Sequence, residues 1–265
     1  MAHKRSILLI HPPVAKPCEP PAGLARLAAA LQSAGVPCQV FDASLTGILD
    51  LLKRPVETTD TWTRRASRKR EQHLAALRSH TLYTNVDRYR QVVADINRLL
   101  RAAGEASATG TAGRLGLANY SDPDLMPVRS ADLLRGAENY QNNPFYPSFN
   151  ARLIPILETF SPDIVGLSVN FMSQALCAFA MAGWLRQLTP RVRIVMGGGL
   201  VTSWRQIPGL GNPFRGLVDD LIAGPGEKAL LDLCTPGHTT VLPSQFAPQA
   251  LPLDDYLAPV RVLPY

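Results

Sequence analysis

The sequence contains no closely spaced pair of cysteines. Its four cysteines, Cys18, Cys38, Cys177 and Cys234, lie far apart in a chain of 265 residues. Structural zinc sites and iron-sulfur clusters draw their ligands from short cysteine motifs, so neither kind of site is encoded locally. We therefore expect reduced, mostly buried cysteines and no metal site in this chain.

A long hydrophobic run is also missing. The apolar run at residues 7–10 is far shorter than the roughly 20 residues that cross a bilayer, and it is too short for the core of a signal peptide. The sequence therefore predicts a cytoplasmic protein without membrane association.

Familiar catalytic and nucleotide-binding motifs are absent as well. No GxGxxG follows the first apolar run and no GK[ST] occurs, which argues against a nicotinamide or ATP site. The five histidines are scattered and have no acidic partner at short spacing. The sequence therefore does not indicate a hydrolase in which a general base activates a nucleophilic side chain.

The charge of the chain is unevenly distributed. Lys and Arg number 27 against 21 Asp and Glu, and part of this excess lies in one short stretch. Its members are Arg64, Arg65, Arg68, Lys69 and Arg70. Such a stretch either contacts an anionic partner or forms the solvated face of a helix, and no aromatic or glycine pattern of a nucleic-acid site accompanies it. We expect the solvated face and no nucleic-acid partner.

Apolar runs and helical spacings predict five strands separated by helices. The predicted strands are residues 6–10, 38–41, 164–168, 193–196 and 217–222. The predicted helices of the same unit are residues 23–34, 151–160, 173–188 and 228–233. This alternation predicts an α/β fold with a doubly wound, flavodoxin- or Rossmann-like, five-stranded parallel sheet.

The alternation is interrupted after the second strand. Residues 46–149 contain helix-like stretches at 74–82 and 87–103 around a segment rich in Gly, Ala and Thr, which indicates a mainly helical insertion. We therefore expect a discontinuous α/β domain at 1–45 and 150–235. The proline-rich residues 236–265 are typical of a linker.

The loops after the strands hold the candidate binding residues, because ligands of such sheets bind beyond the carboxyl ends of the strands. After the first strand these are Pro12, Pro13, Pro20 and Pro21. After the third they are Ser168, Val169, Asn170 and Gln174. After the fourth they are Gly197, Gly198, Gly199 and Thr202, and after the fifth Gly224, Gly226 and Glu227.

Each group has a structural alternative. The three glycines either admit a flat or anionic ligand against bare backbone or form a tight turn. Ser168, Asn170 and Gln174 either donate to a ligand or cap the next helix. Glu227 either reaches a ligand or complements a helix dipole.

In their order along the chain these residues resemble a known family. Gly166-Leu167-Ser168, Gln174 in the next helix and Gly197-Gly198-Gly199 are similar to the cobalamin-binding domain of corrinoid methyltransferases and radical S-adenosylmethionine (SAM) enzymes. Pro12-Pro13 followed by Pro20-Pro21-Ala22-Gly23-Leu24 resembles the opening of the radical SAM subgroup, and Gly224-Pro225-Gly226-Glu227 resembles its G-x-G-E turn. The resemblance covers roughly residues 5–44 and 150–235.

The resemblance implies a cobalamin-binding, amino-terminal part of a radical SAM methyltransferase that acts on an unactivated centre of a small-molecule or peptide substrate. The histidine motif that supplies a lower axial ligand in corrinoid methyltransferases is absent, which implies cobalamin bound base-off without a protein imidazole. His11, at the corresponding loop, is a weak axial-ligand candidate.

The CxxxCxxC motif of radical SAM enzymes does not occur, yet residues 257–265 resemble the sequence that precedes it. We therefore expect SAM and a [4Fe-4S] cluster in a downstream domain of a longer natural protein. Two other functions remain open from sequence: a flavodoxin-like docking module that has lost cofactor binding, and a transferase with a nucleotide-sugar site at the glycines.

Overall fold

The computed structural model of the protein describes residues 4–107, 113–207, 209, 211–236 and 256–258. The predicted linker at 236–265 lies outside this range except for residues 236 and 256–258, and so does most of the predicted lead-in to a cluster motif. Among the residues described, no helix combines the length and the apolar character needed to cross a membrane.

The chain begins with alternating strands and helices and then runs through a helical segment. The first elements are β1 (Ile7–His11), α1 (Ala22–Ser33), β2 (Cys38–Asp42) and α2 (Ala43–Lys53). They are followed by α3 (Thr61–Arg68), α4 (Arg70–Leu77), α5 (His80–Tyr83), α6 (Val86–Ser107), the short strands β3 (Arg114–Leu115) and β4 (Tyr120–Ser121), and α7 (Ser130–Glu138). A 3-10 turn at Tyr140–Asn142 precedes α8 (Tyr146–Phe160).

The second half returns to strict alternation. Its elements are β5 (Ile164–Ser168), α9 (Met172–Leu188), β6 (Arg193–Gly197), α10 (Gly199–Arg205), β7 (Asp220–Leu221) and α11 (Glu227–Cys234). The predicted order of helices and strands in the α/β unit is confirmed. For most of these elements the boundaries differ from the predicted ones by a few residues.

Five strands form one parallel sheet in the order β2-β1-β5-β6-β7. β1 pairs with β2 on one side and with β5 on the other, where Ile7 is opposite Ile164 and Ile10 is opposite Leu167. Counted without the insertion, this is the 2-1-3-4-5 order of flavodoxin-like folds. The predicted fold class is therefore confirmed, and the strand order reverses between β1 and β5.

The two faces of the sheet have separate hydrophobic cores, because side chains alternate along a strand. Ile7 and Leu9 of β1 pack with α1 and α11, whereas Leu8 and Ile10 pack on the opposite face with α8, α9 and the insertion. All four side chains are at most 1% exposed, and truncating such a residue to alanine costs about 2–5 kcal/mol. The helical insertion shares the second core.

The edge strand β7 is shorter than the predicted strand 217–222. The backbone amides of Leu217 and Val218 donate to the carbonyl of Phe214, which places these two residues in a turn. The carboxylate of Asp219 accepts the amide of Ile194 at 2.7 Å, so a side chain substitutes there for a ladder hydrogen bond. The apolar run alone does not reveal this turn.

Helix α2 follows β2 without a loop. The Asp42 carboxylate accepts the backbone amide of Leu45 at 2.9 Å, which caps the helix at its first turn. The insertion therefore continues directly from the sheet edge into a helix.

Candidate functional site

A cleft of about 390 Å³ lies at the carboxyl ends of β5, β6 and β7, between α1 and α11. Leu9, Val195 and Leu230 contribute apolar walls, and backbone of the glycine-rich loops completes the rim. The predicted site residues that line it are Ser168, Asn170, Gly197, Gly198, Gly199, Thr202, Gly224, Gly226 and Glu227. The structure thus brings three of the four predicted loops together around one cavity.

Gly198 is required by the turn itself. Its φ of 105° and ψ of −180° lie in a region that is essentially restricted to glycine, and a Cβ there would lie 2.5 Å from the carbonyl oxygen of Val169. At Gly197, in contrast, an added Cβ would lie 3.5 Å from the Ile222 carbonyl oxygen, an ordinary contact. The backbone conformation at Gly198 therefore requires glycine, whereas at Gly197 the wall of the cleft has room for a Cβ.

The loops after β5 and β6 are joined through Asn170. Its Oδ1 accepts the Gly199 amide at 3.0 Å, and its Nδ2 donates to Oγ of Ser168 at 3.2 Å. Thr202 makes the equivalent link on the other side, donating to the Gly198 carbonyl and accepting the Gly224 amide. These polar side chains hold the rim of the cleft in a fixed shape.

Gln174 does not line the cleft. It is fully buried, and its Oε1 accepts the backbone amides of Asn170 and Phe171 at 2.8 and 3.1 Å. Its Nε2 donates to the carbonyl oxygen of Pro12 at 2.7 Å. Of the two roles considered from sequence, the contacts of Gln174 are those of a helix cap that also ties α9 to the loop after β1.

The prolines and Val169 lie outside the cleft lining as well. Pro12 and Pro13 are buried in the loop after β1, which Ser173 holds by hydrogen bonds to the backbone of Val14. Val169 is fully buried in the core. The carbonyl of Pro21 accepts the Leu24 amide at 2.9 Å and so starts α1, which Pro20 precedes. These residues shape the elements beside the cleft without facing it.

Among the described residues that line the cleft, Arg26 and Glu227 are the charged ones. Arg26 Nε lies 2.6 Å from Oε1 of Glu227, with side chains 66% and 9% exposed respectively. This ion pair links α1 to the first turn of α11. Sequence reasoning missed Arg26, although Gly23, Arg26 and Leu27 are spaced to share one face of α1 and all three line the cleft.

His11 is buried and does not line the cleft. Its Nδ1 lies 3.5 Å from Nε2 of Gln174, and only 5% of the residue is exposed. Burial lowers the pKa of His11 below its ordinary value, whereas the nearby Asp42 carboxylate and a hydrogen bond to the Ser168 backbone oppose that shift. Burial therefore favours the neutral form of the imidazole.

No group of three or more His, Cys, Asp or Glu side chains among the described residues is arranged to hold a metal ion. Within that part of the chain the four cysteines are free thiols, with Cys177 and Cys234 buried, Cys38 half-buried and Cys18 exposed. The prediction of mostly buried cysteines thus holds for Cys177 and Cys234, while Cys18 lies on the surface.

Comparisons of the chain with models of protein families, with curated proteins and with solved structures found no match.

Proposed function

We propose that this chain binds cobalamin, with the nucleotide tail of the cofactor in the cleft between α1 and α11. The observation that carries the proposal is the cleft itself, an apolar cavity with bare glycine backbone at the carboxyl edge of the sheet. Flat, bulky heterocycles fit against glycine backbone because no Cβ intervenes. The location beside the strand-order reversal is the usual ligand position of this fold class.

The size of the cleft limits which part of the cofactor fits. Its volume of about 390 Å³ is near the lower end of the range of about 300–1,000 Å³ that is typical of small-molecule sites. A benzimidazole nucleotide fits such a volume, whereas the corrin ring with its side chains does not. The corrin would therefore lie outside the cleft, over the carboxyl edge of the sheet.

An apolar surface at that edge supports this arrangement. Phe171 and Met172 follow the cleft residue Asn170, and they are 53% and 39% exposed. Large exposed apolar residues that are grouped at one place are typical of a ligand or interaction surface. They would cover one face of the corrin and exclude water from it.

The protein's own contribution in this proposal is binding and orientation. Methylcobalamin, when bound, supplies a transferable methyl group. Asn170 and Thr202 fix the loops that form the cleft rim, and Arg26, in its ion pair with Glu227, places a guanidinium at its wall. Since only 5% of His11 is exposed, its imidazole does not reach a corrin at the sheet edge, and the proposal assigns no axial imidazole to the protein.

The larger enzyme remains part of the proposal. A downstream radical SAM domain in cis would hold the [4Fe-4S] cluster and SAM, and the substrate would be a small molecule or a peptide. The cluster ligands would come from that domain, because this sequence has no CxxxCxxC.

The proposal is tested by mixing the purified chain with hydroxocobalamin, desalting it and recording the corrin absorbance. We expect retained absorbance in the wild type and loss in Gly23→Leu, because Gly23 lines the cleft and an added Cβ there meets no atom within 4 Å. Gly211→Leu is the matched control, since Gly211 is equally open and does not line the cleft. Absence of absorbance in the folded wild type would reject cobalamin binding and favour the docking-module alternative.

A further inference from the structure

The positive charge of the protein is concentrated in the helices of the insertion. Residues 61–101 contain ten Lys or Arg and three Asp or Glu, a net charge of +7, against +6 for the whole chain. The remaining residues are thus close to neutral. A charge excess confined to one segment is an electrostatic feature of that segment and not a general solubility feature.

Helix α3 presents this charge on one face. Arg64, Arg65 and Arg68 are exposed, while Thr63 and Ala66 are buried against the rest of the protein. The exposed cations of α3 are all arginines, which bind carboxylates with two parallel hydrogen bonds.

Trp62 lies beside these arginines and is 59% exposed, the largest exposed fraction of any aromatic side chain among the described residues. The Arg65 guanidinium carbon lies 5.9 Å from the centre of its ring. Solvated helix faces seldom expose an indole. Exposed Trp next to Arg is instead the composition of binding hot spots in protein interfaces.

Helix α6 extends the same surface. Arg98 Nη1 lies 3.5 Å from Oδ2 of Asp60, the residue that caps α3, so Arg98 borders the first turn of α3. Arg101 is exposed three residues further along α6, on the same side as Arg98. We call this surface the arginine face and define it as Trp62, Arg64, Arg65, Arg68, Arg98 and Arg101.

We propose that the arginine face docks an acidic segment of a protein partner. The charges and the indole fit a polypeptide in which carboxylates alternate with apolar side chains. Asp60 is 45% exposed at the border of the face, where it would repel a continuous phosphate backbone. A peptide can place a neutral residue opposite that carboxylate. The proposal is independent of cobalamin binding.

The surface is separate from the cleft. Ala66 of α3 and Leu99 of α6 belong to the core on the face of the sheet that α8 and α9 cover. Leu167 is the cleft residue of that core, whereas the cleft walls at Leu9, Leu24, Val195 and Leu230 belong to the opposite core. Docking at the arginine face therefore leaves the cleft accessible.

The test titrates the whole chain into a labelled peptide of repeated Glu-Glu-Leu units and follows the fluorescence anisotropy of the peptide. We expect saturable, salt-sensitive binding that weakens at least about tenfold in Arg64→Glu/Arg65→Glu/Arg68→Glu and about tenfold in Trp62→Ala. The matched control is Arg129→Glu/Arg191→Glu/Arg215→Glu, which changes three exposed arginines outside the face and shifts the net charge equally. It should bind the peptide within about twofold of the wild type, since the docking surface is intact.

Other outcomes overturn the proposal. Equal weakening by both triple variants would mean a general charge effect, and absence of peptide binding would mean that the face is simply solvated. Tighter binding to labelled oligothymidine of matched charge would assign the face to nucleic acid. Cosedimentation with phosphatidylserine vesicles in preference to peptide binding would assign it to a membrane surface. Thermal unfolding of each variant verifies that it is folded.

Discussion

Gln174 Nε2 donates a hydrogen bond of 2.7 Å to the carbonyl oxygen of Pro12, joining the start of α9 to the loop after β1. The same side chain accepts two backbone amides of the loop that precedes α9. One buried amide group therefore satisfies three backbone groups from two neighbouring strand ends.

We expect Gln174→Ala to lower the free energy of unfolding by about 1–3 kcal/mol, because it leaves the buried Pro12 carbonyl and two part-buried backbone amides without their partner. Urea unfolding followed by circular dichroism measures this loss. Gln91→Ala, the same change at an exposed position of α6, is the control and should alter stability by less than about 0.5 kcal/mol. Equal stability of the two variants would contradict the role assigned to Gln174.

The glycine run is expected to respond unevenly to alanine. Gly198→Ala should destabilise the protein by about 1–3 kcal/mol, because its backbone conformation is essentially restricted to glycine. The close approach to the Val169 carbonyl acts in the same direction. Gly197→Ala should be tolerated, and comparison of the two denaturation midpoints decides the matter. A larger loss at Gly197 would mean that the turn geometry is misassigned.

Burial of His11 predicts an acid-sensitive fold. Its pKa is lowered in the folded protein, so the unfolded chain takes up the proton first as the pH falls through the ordinary value of 6.5. Stability should therefore decrease below about pH 6.5 and be retained above it. The measurement is urea unfolding at pH 7.5 and 5.5 for the wild type and His11→Gln. The decrease should be smaller in the variant, and identical pH profiles would exclude His11 as its source.

Arg26 provides a test within the proposed cobalamin site. The nucleotide tail of cobalamin carries a phosphodiester, which cobinamide lacks, and Arg26 is the cation at the cleft wall. We expect Arg26→Gln/Glu227→Gln to weaken cobalamin binding about tenfold, because a charge-assisted contact is lost, and to leave cobinamide binding unchanged. Changing both partners avoids leaving Glu227 buried and unpaired. Equal effects on both corrinoids would place the tail elsewhere, whereas lack of cobalamin binding by the wild type would reject the proposed function itself.

Much of the fold could be predicted because the sheet strands are short apolar runs bounded by Gly, Pro or Asp. The exceptions are short elements. The turn around Phe214 shortens β7, and the two-residue strands β3 and β4 are too short to give a periodic signal. Both are formed by hydrogen bonds between residues a few positions apart, which a hydrophobic pattern does not indicate.

The candidate site was predictable to a similar extent. Loops after parallel strands meet at one edge, so Ser168, Asn170, Gly197 and Glu227 were expected to lie together, and they do line one cleft. The sequence does not tell which side of a loop a residue faces, which is why Gln174 and the prolines were also selected. The rule that ligands bind at the loops after the strands does not indicate Arg26, because this residue lies on helix α1.

The two cores on opposite faces of the sheet have a consequence for regulation. The parallel sheet lies between the arginine face and most of the cleft walls, and none of the six residues that define the arginine face is among the described residues that line the cleft. Occupancy of one should leave the affinity of the other unchanged, with a coupling free energy near zero. The molecule would then act as an adaptor that binds its acidic partner segment and its cofactor independently of each other.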